Sequence, residues 1–263
     1  MNTDKHWELH AQENPYWAVV TWDKFKGDVE KNPELLMDFF ATGQAHIDCV
    51  LAIIRHSLCA DFQPRNALDF GCGVGRLIVP MAEQGIEVSG VDISDVMLTL
   101  TRRHLAARSL PFAYLCRRLD DLPAEARFDF VHSFIVLQHI RRKRGIVILD
   151  QLLSRLSPGG VAAIHLTYRP SAQAKASISS RTLNRLKSVL IEVPRLRSLA
   201  EAVLRRRLSP PIIMDSYPLN DVMATIAARG LNHVHLRHSQ HDEDRGLLIF
   251  ARRSEDIPHS EPF

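Results

Sequence analysis

The segment ALDFGCGVGRL at 67–77 contains the residue types and spacing most suited to chemistry. An apolar run ends in Asp69, the glycines Gly71, Gly73 and Gly75 follow, and a helical pattern comes next. Glycine tolerates positive φ and lets a ligand approach the backbone closely, and a helix start presents unpaired N–H groups. This strand–turn–helix context predicts a nucleotide-type binding loop rather than an ordinary turn.

The spacing of the glycines separates two kinds of ligand. A dinucleotide-binding loop reads G-x-G-x-x-G and places a pyrophosphate at the helix start, whereas this loop reads G-x-G-x-G. Asp69, two positions before the first glycine, would repel a pyrophosphate. Its carboxylate suits a ligand with a cationic end, such as the ammonium group of a methionine moiety.

A second acidic residue supports this interpretation. The next strand-like run ends in GVDIS at 90–94, which places Asp92 17 residues after Gly75. An acidic residue at about this place, at the end of the second strand, accepts hydrogen bonds from ribose hydroxyls in nucleotide-binding folds.

With these features the chain resembles the class I S-adenosylmethionine-dependent methyltransferases, in particular the small-molecule branch of type 11/12 domains. FDFVHSFIVLQHI at 128–140 resembles the fourth-strand motif of that family, and LSPGGVAAIHL at 156–166 resembles its turn into strand five. The similarity covers about 60–168 and, in topology, 213–253. It implies S-adenosylmethionine as cofactor and S-adenosylhomocysteine as product.

The resemblance also implies cofactor-binding roles. The glycine loop and its preceding aspartate would face the methionine moiety, and the acidic residue ending strand two would hold the ribose. The residues after that acidic residue would flank the adenine. The segment CRRLDDLP at 116–123 would approach the adenine amino group. The end of strand four would line the part of the site that holds the methionine moiety. These residues are Asp69, Gly71, Cys72, Gly73, Asp92, Ile93, Met97, Leu119, Asp120, Ser133 and Phe134.

Methyl transfer from a sulfonium is an in-line displacement in which holding the two reactants in line supplies most of the help. A general base is needed only where the acceptor must lose a proton. His139 follows strand four at the carboxyl edge of the predicted sheet, so it is the candidate base, with a packing or helix-capping role as the alternative. His165, inside strand five, is expected to be a hydrogen-bonded core histidine.

The motifs of several methyltransferase subtypes are absent from the sequence. No D/N-P-P-Y/F and no Pro-Cys follows strand four, and no carboxylate cluster suggests a magnesium site. HVHLRHSQH at 233–241 reads as a polar strand and loop rather than a metal site. A hydroxyl, carboxyl or amine on a small molecule or glycan remains as the acceptor.

Four aromatic residues are candidates for covering the cofactor or the acceptor. Tyr16 and Trp17 belong to ENPYWAVVTWDKF at 13–25, and packing onto the core is the favoured alternative for them. Tyr168 and Tyr217 lie on either side of the segment that interrupts the strand–helix alternation.

Alternating apolar runs and helical patterns predict an α/β chain with a parallel sheet covered on both faces. We expect a helical N-terminal cap at 1–60 and a Rossmann-like core at 61–168 and 213–253. The core would hold a seven-stranded, mostly parallel sheet with an antiparallel last strand. A helical insertion after strand five would occupy 169–212, and a tail 254–263.

The amino-acid composition limits which kinds of binding partner can be expected. The 263 residues are 46% hydrophobic and 24% charged, which is ordinary globular usage. A net charge of +3 gives no reason to expect a polyanion such as DNA. The four cysteines form no C-x-x-C pair and the N-terminus has no apolar signal region, which favours a cytoplasmic protein. The sequence does not indicate an oligomeric state.

The charge is nevertheless unevenly distributed. Residues 169–207 hold ten basic side chains against Glu192 and Glu201, on a pattern of apolar residues typical of amphipathic helices. A lid over an acceptor, possible contact with an anionic membrane through 181–207, and a solvated or oligomeric face all remain open. A non-catalytic cofactor-binding protein and an RNA methyltransferase guided by this insertion are the alternative functions.

Overall fold

The computed structural model describes residues 3–169, 197, 212, 214–241 and 244–255. Apart from residues 169, 197 and 212, the predicted basic insertion lies outside the described residues, as does the predicted tail beyond residue 255.

The centre of the fold is one seven-stranded sheet with the order β3-β2-β1-β4-β5-β7-β6. The first five strands pair in parallel, and β7 runs antiparallel to both of its neighbours, as the sequence predicts. The chain builds outward from β1 in one direction and then returns to continue from β4 in the other. The strands are β1 Asn66–Phe70, β2 Glu87–Val91, β3 Phe112–Cys116, β4 Phe128–Ser133, β5 Leu156–Arg169, β6 His233–His241 and β7 Asp244–Arg252.

Helices cover both faces of this sheet. They are α1 Thr3–Glu13, α2 Pro15–Val19, α3 Pro33–Ser57, α4 Ile78–Glu83, α5 Asp95–Ala107, α6 Arg142–Ser154 and α7 Leu219–Ala228. One apolar cluster joins α3, α4 and α5 to one face, and a second joins α6 and α7 to the other. Burial on both faces explains why the central strands read as continuous apolar runs.

The helix α3 places the N-terminal segment on the sheet. Its start is fixed by Asn32, whose side chain accepts the Leu35 N–H at 3.1 Å, and by Pro33 in the first turn. By length and composition alone this 25-residue helix could cross a membrane. Its apolar stripe is instead packed against the sheet, with Ile47 and Ile54 fully buried. The packing is therefore that of a core helix.

A glycine on α3 lets this helix approach the glycine loop closely. A Cβ on Gly43 would lie 1.9 Å from the carbonyl oxygen of Arg76. Only glycine fits there, and the N-terminal half of α3 is thereby held at the carboxyl edge of the sheet.

The N-terminal cap is anchored to α5 by a buried hydrogen bond. The Tyr16 hydroxyl lies 2.7 Å from Nε2 of His104, and the Tyr16 ring packs edge-on against Phe39. Burial lowers the pKa of His104 to about 4, so the imidazole is neutral at pH 7. Burial also raises the pKa of the Tyr16 hydroxyl, which keeps it a neutral partner.

The buried His104 predicts a pH-dependent stability. Its pKa in the folded state lies below the ordinary value of 6.5, so the stabilisation is complete above pH 6.5 and is lost as the pH falls towards 4. We expect this group to remove about 2 to 3 kcal/mol from the free energy of unfolding over that interval. Urea unfolding at pH 7.5 and pH 4.5 measures it.

The matched control is His104→Gln, which keeps a polar side chain of similar length but does not titrate. The variant should show a smaller pH dependence than the wild type. An equal pH dependence in the two proteins would contradict the assignment to His104.

Candidate functional site

The glycine loop leaves the carboxyl end of β1, at the point where the strand order reverses between β1 and β4. Open α/β sheets bind ligands at such a point. The loop is closely covered: a Cβ on Gly71 would lie 2.2 Å from Cγ2 of Val136, and one on Gly73 would lie 2.6 Å from Cγ2 of Val19. Both glycines have positive φ, +78° and +56°. The glycines therefore set both the shape of the loop and the distance of its neighbours.

Asp92, the residue after β2, holds this loop in place. Its Oδ2 accepts the Gly73 N–H and its Oδ1 accepts the Ser94 N–H, both at 2.9 Å. Burial raises the pKa of the Asp92 carboxyl to about 6, and the negative charge of Glu8 on α1 acts in the same direction. Each oxygen keeps a lone pair beyond its backbone bond, so the carboxylate can accept two further donors.

The neighbours of Asp92 provide an apolar surface and a capped helix. Ser94 is the N-cap of α5, with its hydroxyl accepting the Met97 N–H at 3.2 Å. Met97 is buried and Ile93 is half-buried. The Cys72 thiol is packed against Gly90, and burial raises its pKa well above the usual range, so it is a neutral packing group.

Leu119 and Asp120, predicted near the adenine, both contact the α6 side of the sheet. Leu119 is buried in the cluster on the α6 face of the sheet. The Asp120 carboxylate accepts a hydrogen bond from Gln151 on α6 at 3.2 Å. The side chain of Asp120 therefore points to that helix from the 3-10 turn Leu119–Asp121.

The end of β4 lies inside the segment 128–140 that resembles the fourth-strand motif. The strand stops at Ser133, whose hydroxyl donates to the Phe70 carbonyl at 2.9 Å. Ile135 has a φ of +59°, a strained conformation for a β-branched residue. This turn directs Val136 onto Gly71, so the strain accompanies the close cover of the glycine loop.

His139 lies in a 3-10 turn, Leu137–His139, at the same edge of the sheet. Its ring is half-buried and meets the ring of Trp7 on α1 edge-on, with the centroids 4.9 Å apart. The N-terminal cap thus reaches the candidate base. Its role as a base stays a prediction.

Two of the four aromatic candidates are structural. Tyr16 holds the cap to His104, as described above. Tyr217 is 1% exposed, and its hydroxyl lies 2.7 Å from the Leu137 carbonyl and 2.9 Å from the Ile140 carbonyl. It fills the space over Gly145, where a Cβ would lie 1.9 Å from the hydroxyl oxygen. The polar end of Tyr217 therefore fixes the turn after β4, and its predicted contact with the acceptor stays a prediction.

The other two candidates are partly accessible. Trp17 is half-buried, with the Lys26 ammonium 5.3 Å from its ring centroid. Tyr168 is half-buried near the end of β5, and its ring centroid lies 6.3 Å from that of His238 on β6.

The sequence analysis missed a buried polar chain at this edge. Oδ1 of Asp69 lies 2.9 Å from Nδ1 of His132, and Nε2 of His132 lies 3.1 Å from Nε2 of His46 on α3. Asp69 and His132 are 1% and 0% exposed. One oxygen of the Asp69 carboxylate is thus engaged by a histidine, and its predicted place beside the methionine moiety stays a prediction. The signal was the register, since Asp69 on β1 pairs with His132 on β4.

Within the part of the chain that the structure describes, no group of three or more histidine, cysteine, aspartate or glutamate side chains is placed to hold a metal ion.

Known proteins share this domain. Residues 67–160 match the model of a methyltransferase domain family. The chain is 32% identical over 124 residues to a ubiquinone biosynthesis O-methyltransferase of Nitrobacter winogradskyi, covering 43% of this chain and 46% of that protein. It is 33% identical over 158 residues to the enzyme of the same description from Chromobacterium violaceum, covering 58% and 60%. The chain spans about half the length of the curated relatives it matches.

Solved structures share the fold. Magnesium protoporphyrin IX methyltransferase of Synechocystis, with bound S-adenosylmethionine, superposes with a TM-score of 0.59 at 16% identity, over 97% of this chain and 98% of that one. The same enzyme with bound S-adenosylhomocysteine gives a TM-score of 0.55 at 17% identity over 92% and 98%. The glycine loop and Asp92 thus lie in the stretch that matches a methyltransferase domain, and the whole sheet, with its reversed β7, has the fold of S-adenosylmethionine-dependent methyltransferases.

Proposed function

We propose that the chain binds S-adenosylmethionine at the glycine loop and transfers its methyl group to a small molecule or glycan. The observation that carries this proposal is the Asp92 carboxylate, fixed beside the loop by the Gly73 and Ser94 N–H groups. The relatives are O-methyltransferases. They favour a hydroxyl or carboxyl oxygen as acceptor over an amine.

The residues at the loop suit this cofactor chemically. Asp92 would accept the two ribose hydroxyls through its remaining lone pairs. Ile93 and Met97 supply apolar surface for the adenine, and the backbone of Gly71 and Gly73 would hold the methionine end. The bound cofactor supplies an electrophilic methyl group on a positively charged sulfur.

The N-terminal cap would exclude water from this site. Val19 lies against Gly73, and Trp7 lies against His139. A dry site strengthens the electrostatic interactions that orient the reactants. Since these contacts close over the loop, α1 and α2 would open to admit the cofactor.

The basic insertion would complete the acceptor side. Arg197, a described residue of this segment, donates to the Glu13 carboxylate of α1 at 2.5 Å. Without 169–207 the chain holds 33 − 10 = 23 basic and 30 − 2 = 28 acidic residues, a net charge of −5, so the segment is locally very positive. An anionic acceptor would suit it. The cytoplasm would suit the free cysteines Cys49, Cys59, Cys72 and Cys116.

Cofactor affinity tests the role of Asp92. Calorimetry with S-adenosylmethionine and S-adenosylhomocysteine should detect binding to the wild type. Asp92→Asn should weaken it at least tenfold, because a neutral amide is a poorer acceptor for the hydroxyls than a carboxylate. The matched control is Asp95→Asn, an exposed carboxylate three residues away that pairs with Arg117 and should change the affinity less than twofold. No binding by the wild type, or equal affinity in both variants, would contradict the proposal.

The pH dependence of the same affinity follows from the raised pKa. The Asp92 carboxyl has a pKa of about 6, and only its ionised form accepts both hydroxyls. S-adenosylhomocysteine should therefore bind about tenfold more weakly at pH 5 than at pH 8. Fluorescence or calorimetric titration at the two pH values measures this, and a dissociation constant unchanged between them would show that Asp92 does not titrate in the site.

Vesicle binding tests the proposed contact of residues 181–207 with an anionic membrane. Basic amphipathic segments bind anionic lipid in a salt-dependent way. Co-sedimentation at low salt should then occur with vesicles containing phosphatidylserine and be absent with phosphatidylcholine alone. Equal sedimentation with the two vesicles, or none with either, would contradict the membrane contact and leave a lid over the acceptor or a solvated or oligomeric face as the role of the insertion.

A further inference from the structure

The helix α1 lies across the carboxyl edge of the sheet, above the candidate site. At its start Asp4 accepts a hydrogen bond from Arg144, in the first turn of α6, at 2.7 Å. Trp7 contacts His139 in the turn after β4, and the helix also packs against α5, which follows β2. It therefore spans the point between β1 and β4 at which open α/β sheets bind ligands.

Glu8, the residue after Trp7, carries a buried oxygen atom with no hydrogen-bond donor among the residues that the structure describes. Its Oε1 accepts from Gln12, one turn further along α1, at 3.5 Å, whereas its Oε2 is buried and unpaired. A buried carboxylate oxygen is costly unless a donor or a positive charge offsets it. Glu8 is therefore a candidate for interaction with a bound ligand.

The charge of Glu8 acts on the residue that is proposed to hold the ribose. Burial raises the pKa of Asp92 to about 6, and the negative charges of Asp69 and Glu8 add to that rise. Asp92 is thus repelled by two other carboxylates. The buried guanidinium of Arg76 interacts electrostatically with Asp69 and offsets part of this negative charge. A ligand that brings further positive charge would suit these surroundings.

The two forms of the cofactor differ in the charge of their sulfur. In S-adenosylmethionine the sulfur is bonded to the 5′ carbon of the ribose and is positively charged, whereas in S-adenosylhomocysteine it is neutral. A ribose held by Asp92 would bring this sulfur into the part of the site on which Glu8 acts. The charge of Glu8 would then stabilise the substrate form of the cofactor and not the product form.

We propose that Glu8 makes the site prefer S-adenosylmethionine over S-adenosylhomocysteine, because its carboxylate lies on the helix that covers the positively charged sulfur. The proposal rests on the proposed function and adds a specificity-determining residue from the N-terminal cap.

Methyl transfer removes this attraction. The bond between the methyl carbon and the sulfur breaks, its electron pair stays on the sulfur, and the methyl carbon forms a bond to the acceptor oxygen. A hydroxyl acceptor gives its proton to solvent. The sulfur is then a neutral thioether, so the repulsion between Glu8 and Asp92 is no longer offset. The cap opens more readily as a result, which favours release of the product.

Two affinities measured side by side test the preference. Calorimetry without an acceptor gives the dissociation constants of S-adenosylmethionine and S-adenosylhomocysteine. Glu8→Gln keeps the size of the side chain and removes its charge. It should weaken the binding of S-adenosylmethionine about tenfold and change that of S-adenosylhomocysteine less than about twofold. Sinefungin, which carries an amine in place of the methylated sulfur, should behave as S-adenosylmethionine does.

The matched control is Asp4→Asn, which makes the same chemical change on the same helix. The ion pair of Asp4 with Arg144 is partly exposed, so its loss should change both dissociation constants less than about twofold. Equal weakening of the two ligands in Glu8→Gln, or unchanged affinity for both, would overturn the proposal. The same change of preference in Asp4→Asn would overturn it as well.

The stability of the ligand-free protein separates this role from a structural one. Because Oε2 of Glu8 is unpaired and its charge repels Asp92, Glu8→Gln should leave the melting temperature unchanged or raise it. A carboxylate that stabilised the cap by itself would give the opposite result. A lower melting temperature for Glu8→Gln would therefore contradict the proposal.

Tryptophan fluorescence reports on the cap, since the three tryptophans of the chain are Trp7, Trp17 and Trp22. At saturation, S-adenosylmethionine should change the fluorescence of the wild type more than S-adenosylhomocysteine does. The two ligands should have equal effects on Glu8→Gln. Equal effects on the wild type would overturn the proposed link between the charge of the sulfur and the cap.

The two proposals fail in different ways. Absence of binding of either ligand to the wild type defeats the proposed function and the role of Glu8 with it. Binding that Asp92→Asn weakens, with the same preference in the wild type and in Glu8→Gln, overturns the role of Glu8 alone.

Discussion

The structure depends most on the carboxylate of Asp92. This one side chain ties the glycine loop after β1 to the start of α5 after β2, through the Gly73 and Ser94 N–H groups. The carboxylate is buried at the edge of the sheet, which disfavours its charged form and raises its pKa to about 6. Two backbone donors offset part of that cost and hold the loop in one shape. A hydroxyl-bearing ligand would add donors to the same carboxylate.

Close approach of backbone segments is the second constraint. Gly71, Gly73 and Gly43 sit where a Cβ would collide with Val136, Val19 and the Arg76 carbonyl. The turn after β4, the N-terminal cap and α3 are each brought to the glycine loop by one of these contacts. The strained φ of Ile135 persists because the surrounding packing fixes the turn. The site is thus assembled from three separate parts of the chain around one loop.

The sequence predicted well those features that depend on local spacing. The glycine loop follows β1 and Asp92 follows β2, as the two motifs predict. Local patterns carry this information because hydrophobic period, caps and glycine spacing act within a few residues. The end of β4 at Ser133 has no such local signal, because apolar Phe134, Ile135 and Val136 continue the strand pattern while the backbone turns.

Features that depend on strand register and tertiary packing could not be predicted from local sequence patterns. Asp120 lies in the predicted segment, but a 3-10 turn points it to Gln151. Tyr217 fixes the turn after β4, a contact that no local pattern indicates. The contact of Asp69 with His132 needs the pairing of β1 with β4, and His46 adds the placement of α3. The residues of these two contacts are 63 and 86 positions apart in the sequence, so no local periodicity indicates that they meet.

A crystal structure with bound S-adenosylhomocysteine is the measurement that tests the central claim most directly. The account predicts both ribose hydroxyls within hydrogen-bonding distance of the Asp92 carboxylate, with the Gly73 and Ser94 bonds retained and the methionine end over the glycine loop. A nucleoside bound elsewhere on the chain, or an Asp92 carboxylate turned away from the ribose, would contradict it.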